Sequence, residues 1–545
     1  MTKLPSTKHS FRFLRENNIL YVDKTKFIYH LTKINQACLL ARPPLFGKSL
    51  LVGALIELFE GNRELFKALW IDQSDYDFEP RPYVHLDFNK LTARGLDFFR
   101  LSLGNIMATT AGQNGLKATE RDNPMSVFND LVAKIYHQNG HGQVAVLIDG
   151  YDAAVMKLLA RKPKTAVSVW ERLRAFYQNI RLNEQVGLVL FMGQGHLDFG
   201  HLEGRPEVLD LSFEPSLANC CGFSEDEFGS TFATHFNPIL NKLIDDELIS
   251  PSATTRDLLK LLSLTYGGFT WNGTDQLLNP YSMVSFIKKM AFTPRWTQVT
   301  NRGLVNHLLR RPPDLLKILG KQARLSPLSW PHQPQDLSAE QLMFQHGYLS
   351  PEGPLTNEPN SQVKLYFPNL EVKHLILPYL LNLRPLGLSM LELQALGQAF
   401  RKALFDGSAG EMEDIFLALG WLAPSGKAKE IFESGKNLVL YLLALSGQSL
   451  RPLDWEPFSL ALSSHEVDEP DYDGHHLLMA FRFLKNPTTE MAQIEDEKYP
   501  LTELQSALEQ KLRSTYRGSK ALTLTACSII MAKSLANIKV IIKKL

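Results

Sequence analysis

The chain has 545 residues, of which 44% are hydrophobic and 21% are charged. This length exceeds what one hydrophobic core supports, and the composition is that of a folded protein rather than a disordered one. The 58 Lys and Arg residues almost balance the 57 Asp and Glu residues, which gives a net charge of +1. Overall charge therefore does not support nucleic-acid binding, which would need a local basic patch.

The cysteine pattern and the absence of long apolar runs predict where the protein resides. Cys38, Cys220, Cys221 and Cys527 lack the spacing of a zinc site and make a poor disulfide framework. We interpret the adjacent pair as buried thiols rather than as a redox site. The N-terminal sequence lacks the apolar core of a signal peptide, and no uncharged apolar run reaches the roughly 18 residues of a membrane helix. We expect a cytoplasmic protein with no membrane association, although a secreted bacterial effector would share these features.

Residues 1–212 alternate short apolar runs with longer segments. The runs ACLLA (37–41), PYVHLDF (82–88), VAVLID (144–149) and GLVLFMG (187–193) predict four buried parallel strands. The segments between them are long enough for crossover helices, so we predict an α/β domain.

The remainder of the chain predicts two further regions. Residues 213–380 show helical spacing of apolar residues in SATTRDLLKLLSLTY and GLVNHLLRRPPDLLKILGKQ, interrupted by a Pro-rich surface loop at 325–336. Residues 381–545 begin with helices and continue through strands predicted at PFSLALSS and HLLMAFRFL. A helical LTELQSALEQKLRSTY and an apolar segment follow.

The stretch LLARPPLFGKSLLVGAL (39–55) predicts a phosphate-binding loop, because Gly47, Lys48 and Ser49 stand between a buried strand and an apolar helix. In such a loop the backbone N–H groups surround the phosphates, the lysine reaches the β- and γ-phosphates, and the hydroxyl holds magnesium. The glycine expected five residues before Gly47 is Arg42 instead. The alternative is a helix capped by Ser49 beside a surface lysine.

The apolar run that ends at Asp149 predicts the acid that holds magnesium opposite the loop serine. The residue after this acid is usually a glutamate that polarises the attacking water, and here it is Gly150. Loss of a general base costs about 10²–10⁴ in rate, so we do not expect fast hydrolysis. Asp152 is the candidate catalytic substitute. The alternative for Asp149 is a turn residue at a strand end.

These motifs resemble, in order and spacing, those of bacterial AAA-ATPase-like proteins that carry a C-terminal PD-(D/E)XK nuclease-like domain. The family elements YVDKT, RPxxFGK[ST] and LIDEYD correspond to residues 21–25, 42–49 and 147–152, which adds Arg42 and Phe46 to the predicted cofactor site. The segments LANCCGFSEDEF, NPYSMVSF, LMFQHGYLS and FPNLEV extend the resemblance to about residue 375. It implies a P-loop NTPase-type parallel sheet (1–212), a helical lid region (213–380) and an α+β restriction-endonuclease-like domain (381–545), with ATP and Mg as cofactors.

The first two regions depart from the family where the chemistry takes place. Pro44 and Leu45 replace basic loop residues, and Gly150 replaces the glutamate. Thr270 stands where the family has an arginine, a residue that stabilises transferred phosphate. The loop change reduces positive charge near the phosphates, and the other two departures indicate weak or absent hydrolysis.

The third region lacks the motif of a magnesium nuclease. FRFLK replaces the family's FEFKL, so Arg482 stands in place of the glutamate and Leu484 in place of the lysine. Lys485 is one residue out of register, which on a strand is the opposite face. We interpret the nearby acidic residues as a solvated loop: Glu466, Asp468, Glu469, Asp471 and Asp473.

The sequence thus predicts an ATP-binding nucleotide-dependent switch or scaffold that acts on an unidentified protein partner. AAA-type modules often form rings, so a homo-oligomer is a further expectation. One alternative is an active ATP-gated magnesium-dependent nuclease. The other is an interaction protein or secreted effector that binds no nucleotide.

Overall fold

The computed structural model describes residues 3–296 apart from 93 and 160, and shorter parts of the chain beyond. These parts are residues 308, 313, 315, 318, 323–325, 330–353, 362–381, 389–406, 408–418, 437–442 and 444–445, and the backbone of 451–453, 461–463, 475–483, 523–531 and 538–544. The chain divides into two compact units. The first comprises the described residues within 1–291, 295–313 and 324–369, and the second those within 292–294, 314–323 and 370–545.

A sheet of five parallel strands forms the centre of the first unit, in the order β2-β3-β4-β1-β5. The strands are β1 (Ala37–Ala41), β2 (Tyr83–Asp87), β3 (Val144–Asp149), β4 (Val186–Gly193) and β5 (Leu209–Asp210). Nearly every residue of β1, β3 and β4 is buried, which explains why their sequences are apolar without alternation. The four predicted strands and their parallel arrangement are confirmed.

Helices cover both faces of this sheet. The Tyr83 hydroxyl donates to Glu60, just after α3, over 2.8 Å. On the opposite face of the sheet, the strand register places Leu86 and Phe191 together. There Phe191 packs on Tyr177 of α7, with the ring centroids 5.0 Å apart. The helices before and between the strands are α1 (Phe11–Glu16), α2 (Thr25–Thr32), α3 (Lys48–Phe59), α4 (Leu96–Gln113), α5 (Pro124–Gln138), α6 (Ala153–Leu159) and α7 (Pro163–Leu182).

The rest of the first unit combines helices with a small sheet. Its helices are α8 (Glu225–Thr231), α9 (Phe236–Asp245), α10 (Thr255–Tyr266), α11 (Pro280–Lys289) and α12 (Ala339–Gln345). The helix predicted at SATTRDLLKLLSLTY is confirmed as α10, which begins with a capping box of Thr254 and Asp257. The segment GLVNHLLRRPPDLLKILGKQ lies outside the described residues, apart from isolated positions.

The prediction of a purely helical region after residue 212 is incomplete. An antiparallel sheet of order β6-β8-β7 lies within it, formed by β6 (Arg324–Leu325), β7 (Ser350–Glu352) and β8 (Val363–Tyr366). Strands of two to four residues are too short for the period-two pattern that identifies a strand in a sequence.

The second unit contains α13 (Leu370–Leu380), α14 (Met390–Asp406), α15 (Ala409–Ala418) and a sheet of order β13-β12-β11-β10-β9. Its strands are β9 (Arg451–Leu453), β10 (Ala461–Ser463), β11 (His475–Phe483), β12 (Thr523–Met531) and β13 (Ile538–Lys544), of which β11 and β12 are parallel and the other pairs antiparallel. The two strands predicted at PFSLALSS and HLLMAFRFL are confirmed. Arg482 lies in β11, whereas Leu484, Lys485, the five acidic residues from Glu466 to Asp473, and LTELQSALEQKLRSTY lie outside the described residues.

No helix in the described parts of either unit has both the length and the apolar character that a bilayer crossing requires.

Candidate nucleotide site

The loop between β1 and α3 has the backbone of an anion site. Leu45 and Gly47 are left-handed, with φ of 63° and 101°. Left-handed residues turn successive backbone N–H groups toward one concavity, and the free N–H groups at the start of α3 add to it. A Cβ added at Gly47 would meet no atom within 4 Å, so glycine is needed there for its φ and not for space.

The outer part of this loop is held by residues that follow the parallel sheet. The Pro44 carbonyl accepts from Trp296 Nε1 over 2.7 Å, and the Phe46 carbonyl accepts from the Gly222 N–H over 3.1 Å. The Phe46 ring is 1% exposed and meets Trp271 edge-on at 5.4 Å. Phe46 thus anchors the loop while it also lines the cavity beside it. Its predicted contact with a cofactor stays a prediction.

Arg42 lies beneath the loop rather than facing the cavity. Its side chain is fully buried, and its guanidinium donates to four carbonyls, those of Ala41, Ser212, Leu217 and Ala218. A buried guanidinium without such acceptors would be strongly destabilising, so these bonds account for its position. Arg42 is not among the described residues that line the cavity, and its predicted contact with the cofactor stays a prediction.

Lys48 is held by its own loop. Its Nζ donates to the carbonyls of Arg42 and Pro43, both over 2.8 Å. Burial lowers the pKa of Lys48, and the carboxylates of Asp149 and Asp152 oppose this effect. Both carboxylates thus favour the charged form of Lys48, and its predicted contact with phosphate stays a prediction.

Asp149 is the last residue of β3. In the sheet, β4 lies between β3 and β1, the strand that leads into the loop. Asp149 is 5% exposed, and its Oδ1 has no hydrogen-bond partner among the described residues. Ser49 lines the cavity and is exposed, whereas Asp149 is not among the described residues that line it, although the next residue, Gly150, is. A carboxylate oxygen without a donor and an exposed hydroxyl are the types of ligand that Mg²⁺ takes, so these residues fit the ion.

The described residues contain no group of three or more His, Cys, Asp or Glu side chains that could hold a metal. A magnesium ion between Ser49 and Asp149 would therefore take its other ligands from phosphate and water, which is its usual behaviour.

Asp152 fixes the turn that follows β4. Its carboxylate is 1% exposed and accepts from the backbone N–H groups of Gln194 and Gly195, over 3.1 and 2.6 Å. Burial raises the pKa of Asp152, although these N–H groups and Lys48 oppose the shift. Its predicted catalytic role stays a prediction.

The side chain of Gln194 is a site residue that the motifs missed. It lines the cavity, and its buried Nε2 has no partner among the described residues. Gln194 is the first polar residue after the apolar run of β4, and the carboxyl ends of parallel strands meet at the ligand-binding edge of a sheet. That position was the available signal.

Gly150 has no room for a side chain. Its φ is 79°, and an added Cβ would lie 2.4 Å from Asn89 Oδ1 and 2.9 Å from the Asn89 backbone nitrogen. Asn89 also lines the cavity, a second residue that the motifs missed. The family's glutamate at position 150 would thus require Asn89 to move.

The cavity has a volume of about 860 Å³, within the roughly 300–1,000 Å³ of small-molecule sites. It extends from the loop to residues 5–10 and α11. Among the described residues that line it, one carboxylate, Asp152, stands against four lysines: Lys8, Lys24, Lys48 and Lys288. Lys24 is paired with Glu227, and the remaining excess of ammonium groups favours an anionic ligand.

Residues 5–196 match the family model AAA-ATPase-like, a predicted AAA-ATPase. The AAA-ATPase-like match suggests nucleotide binding and contains every residue of the predicted site. The chain is also similar to an uncharacterized protein in the vnfD 5′ region of Azotobacter chroococcum mcd 1. The two are 29% identical over 379 residues, which is 68% of each protein.

Proposed function

We propose that the AAA-ATPase-like region binds ATP with magnesium and works as a nucleotide-dependent switch, with weak or absent hydrolysis. One observation carries this proposal. Lys48 begins helix α3 directly after the left-handed Gly47, and it lines a cavity of about 860 Å³. A triphosphate in that cavity would offer Lys48 stronger acceptors than the two loop carbonyls it now contacts.

Each residue of the loop has a distinct task in this proposal. Lys48 would contact the β- and γ-phosphates, and the N–H groups of Gly47 to Ser49 would surround them. Ser49 and Asp149 would hold magnesium, which neutralises phosphate charge when it is bound.

The catalytic base is the weak point of the site. Gly150 provides no carboxylate, and the Asp152 carboxylate is already engaged by the N–H groups of Gln194 and Gly195. We therefore assign Asp152 a positioning role in the turn after β4. Without a base, hydrolysis is slower by about 10²–10⁴.

The switch follows from the bonds that join the loop to later residues. Phosphate that contacts the loop N–H groups would shift the Pro44 and Phe46 carbonyls, which hold Trp296 and Gly222. A protein partner would then recognise the rearranged surface beyond residue 222. This scheme needs binding and release of nucleotide, but no rapid turnover.

For the second unit we propose a nuclease-like domain without nuclease activity. The support is the segment FRFLK, in which Arg482 stands where a nuclease of this kind has its glutamate. Magnesium-dependent cleavage of plasmid DNA or RNA by the full chain would refute this.

Thermal denaturation of the full chain with increasing Mg-ATP tests nucleotide binding. A ligand that binds only the folded state at about 100 times its Kd adds about 2.7 kcal/mol of stability. Lys48→Ala should weaken affinity by about tenfold to a hundredfold, because it removes charge-assisted hydrogen bonds worth about 1.5–3 kcal/mol. Lys67→Ala, at a lysine whose side chain is 65% exposed, is the matched control and should bind like the unaltered chain.

Two results would overturn the proposal. One is the absence of any stabilisation by Mg-ATP or Mg-ADP, and the other is unchanged affinity in Lys48→Ala. Phosphate release, measured in the same samples, distinguishes a slow switch from an active ATPase.

A further inference from the structure

Two neighbouring cysteines line the cavity beside the loop between β1 and α3. Cys220 and Cys221 are 1% and 2% exposed, yet both line the cavity that Lys48 also lines. Neither is in a disulfide, and the same holds for Cys38, the third cysteine whose side chain the structure describes. Cys38 lies in β1, where it is fully buried and is not among the residues that line the cavity. The pair therefore borders the cavity, whereas Cys38 does not.

Two cationic side chains lie near the sulfur of Cys220. Arg42 Nη2 lies 3.8 Å from Cys220 Sγ, and Lys24 Nζ donates to the Asn219 carbonyl next to it over 2.8 Å. Glu227 shares the Lys24 ammonium through an ion pair of 2.7 Å. The hydrogen bond from Cys221, together with the charges of Arg42 and Lys24, lowers the pKa of Cys220. Burial instead raises the pKa of Cys38 to about 12.

The main chain of the pair is tied to the phosphate-binding loop. The Cys220 N–H donates to the Leu217 carbonyl, and the Gly222 N–H donates to the Phe46 carbonyl, each over 3.1 Å. A bond between adjacent sulfurs closes a small ring through their shared peptide, which must turn to allow it. Gly222 follows the pair directly, so the strain of this small ring would act next to the bond that holds the Phe46 carbonyl.

We propose that Cys220 and Cys221 form a thiol modification site within the nucleotide cavity. It reacts with hydroperoxides and small alkylating reagents, and its modification and nucleotide binding exclude each other. The exclusion rests on the proposed nucleotide function, whereas the reactivity does not.

The reaction with a hydroperoxide uses both sulfurs. The Cys220 thiolate attacks one oxygen of hydrogen peroxide, the O–O bond breaks, and the released hydroxide takes a proton to become water. Cys221 then loses its proton and attacks the sulfenic sulfur as a thiolate, an S–S bond forms, and the hydroxide that leaves takes up that proton as a second water. The pair loses two electrons to the peroxide, and a dithiol reductant such as dithiothreitol reverses the reaction.

Alkylation of the reduced full-length chain tests the reactivity. Iodoacetamide is added for increasing times with and without saturating Mg-ATP, and peptide mass spectrometry follows Cys220, Cys221 and Cys38 separately. Cys220 should react at least about tenfold faster than Cys38, since thiolate fraction outweighs the lower nucleophilicity of an acidic thiol. Nucleotide at tenfold its Kd should slow the alkylation of Cys220 by about tenfold, because only about one site in eleven is then free of nucleotide.

Peroxide treatment tests the exclusion. The treated chain should lose its affinity for Mg-ATP and regain it with dithiothreitol, and Cys38→Ser should behave in the same way. In Cys220→Ser and Cys221→Ser no disulfide forms, but Cys221→Ser still alkylates at Cys220.

Failure of this inference differs from failure of the proposed function. Alkylation of Cys220 no faster than that of Cys38, or faster reaction at Cys221, would overturn the site even if nucleotide binds. If Cys220 reacts fast but the reduced chain binds no nucleotide, the site stands and the nucleotide function falls. Alkylation needs no variant, so a misfolded serine variant does not affect the outcome.

Discussion

A glutamate at position 150 should not produce an ATPase, because the structure leaves no room for a side chain there. At φ of 79° a side chain costs about 1–2 kcal/mol in backbone energy. The added Cβ would also stand 2.9 Å from the Asn89 backbone nitrogen, an overlap that a backbone shift must relieve at about 1–3 kcal/mol. Gly150→Ala should therefore destabilise the first unit by about 2–5 kcal/mol. Gly150→Glu should do so by at least as much, without faster phosphate release.

Gly140→Ala separates the two contributions. Gly140 has φ of 64° but no heavy atom within 4 Å of an added Cβ, so only the backbone cost of about 1–2 kcal/mol applies. The excess of Gly150→Ala over Gly140→Ala then measures the overlap with Asn89. In Asn89→Ala/Gly150→Ala the contact with Oδ1 at 2.4 Å is gone, but the contact with the backbone nitrogen remains. The double variant should regain part of the excess and not all of it.

Urea denaturation followed by tryptophan fluorescence gives the differences in free energy of unfolding, and a phosphate-release assay gives the turnover. The reasoning is refuted if Gly150→Ala and Gly140→Ala agree within about 0.5 kcal/mol, the usual size of a surface effect. A Gly150→Glu chain that is stable and hydrolyses ATP rapidly would refute it as well.

Three further predictions concern charged and polar groups of the first unit. Asp149→Asn should weaken Mg-ATP binding by roughly tenfold and leave binding in EDTA unchanged, as calorimetry would show, because only the metal contact is lost. Glu227→Gln should cost about 1–3 kcal/mol in urea denaturation, because Lys24, with 9% of its side chain exposed, loses its charge partner. Lys242→Met, in an ion pair of the same 2.7 Å length but 45% exposed, should cost less than about 0.5 kcal/mol, and equal losses would contradict the argument. Burial lowers the pKa of His85, so as the pH falls below about 6.5 the unfolded chain binds a proton at this residue before the folded chain does, and the folded state loses stability. His85→Gln should lessen that loss of stability between pH 7 and about 5, and an unchanged dependence of stability on pH would contradict the argument.

The sequence predicts the parallel sheet well, because strands that are buried on both faces have continuous apolar sequences. VAVLID is apolar until Asp149, and the strand ends there. GKS follows ACLLA directly, and α3 begins at Lys48. Continuous apolar runs and helix starts are local signals, so one chain is enough to find them.

Contacts between distant residues leave no such record. Nothing near Arg42 indicates that its guanidinium bonds to carbonyls 170 or more residues away. The prediction that Cys220 and Cys221 are buried thiols is confirmed, but nothing in the pair shows that it lines the same cavity as Lys48. The crowding of Gly150 by Asn89 likewise depends on how two strand ends meet. Side-chain direction at such sites follows from the assembled fold and not from spacing.

The Arg42 side chain limits how this chain can be divided or recombined. Its acceptors at Leu217 and Ala218 lie beyond residue 212, the end of the first predicted region. A fragment that ends at residue 212 would leave the buried guanidinium without these two acceptors. The same fragment fused to another protein would lack them as well. Any fragment or fusion that retains Arg42 must therefore also retain the segment that contains Leu217 and Ala218.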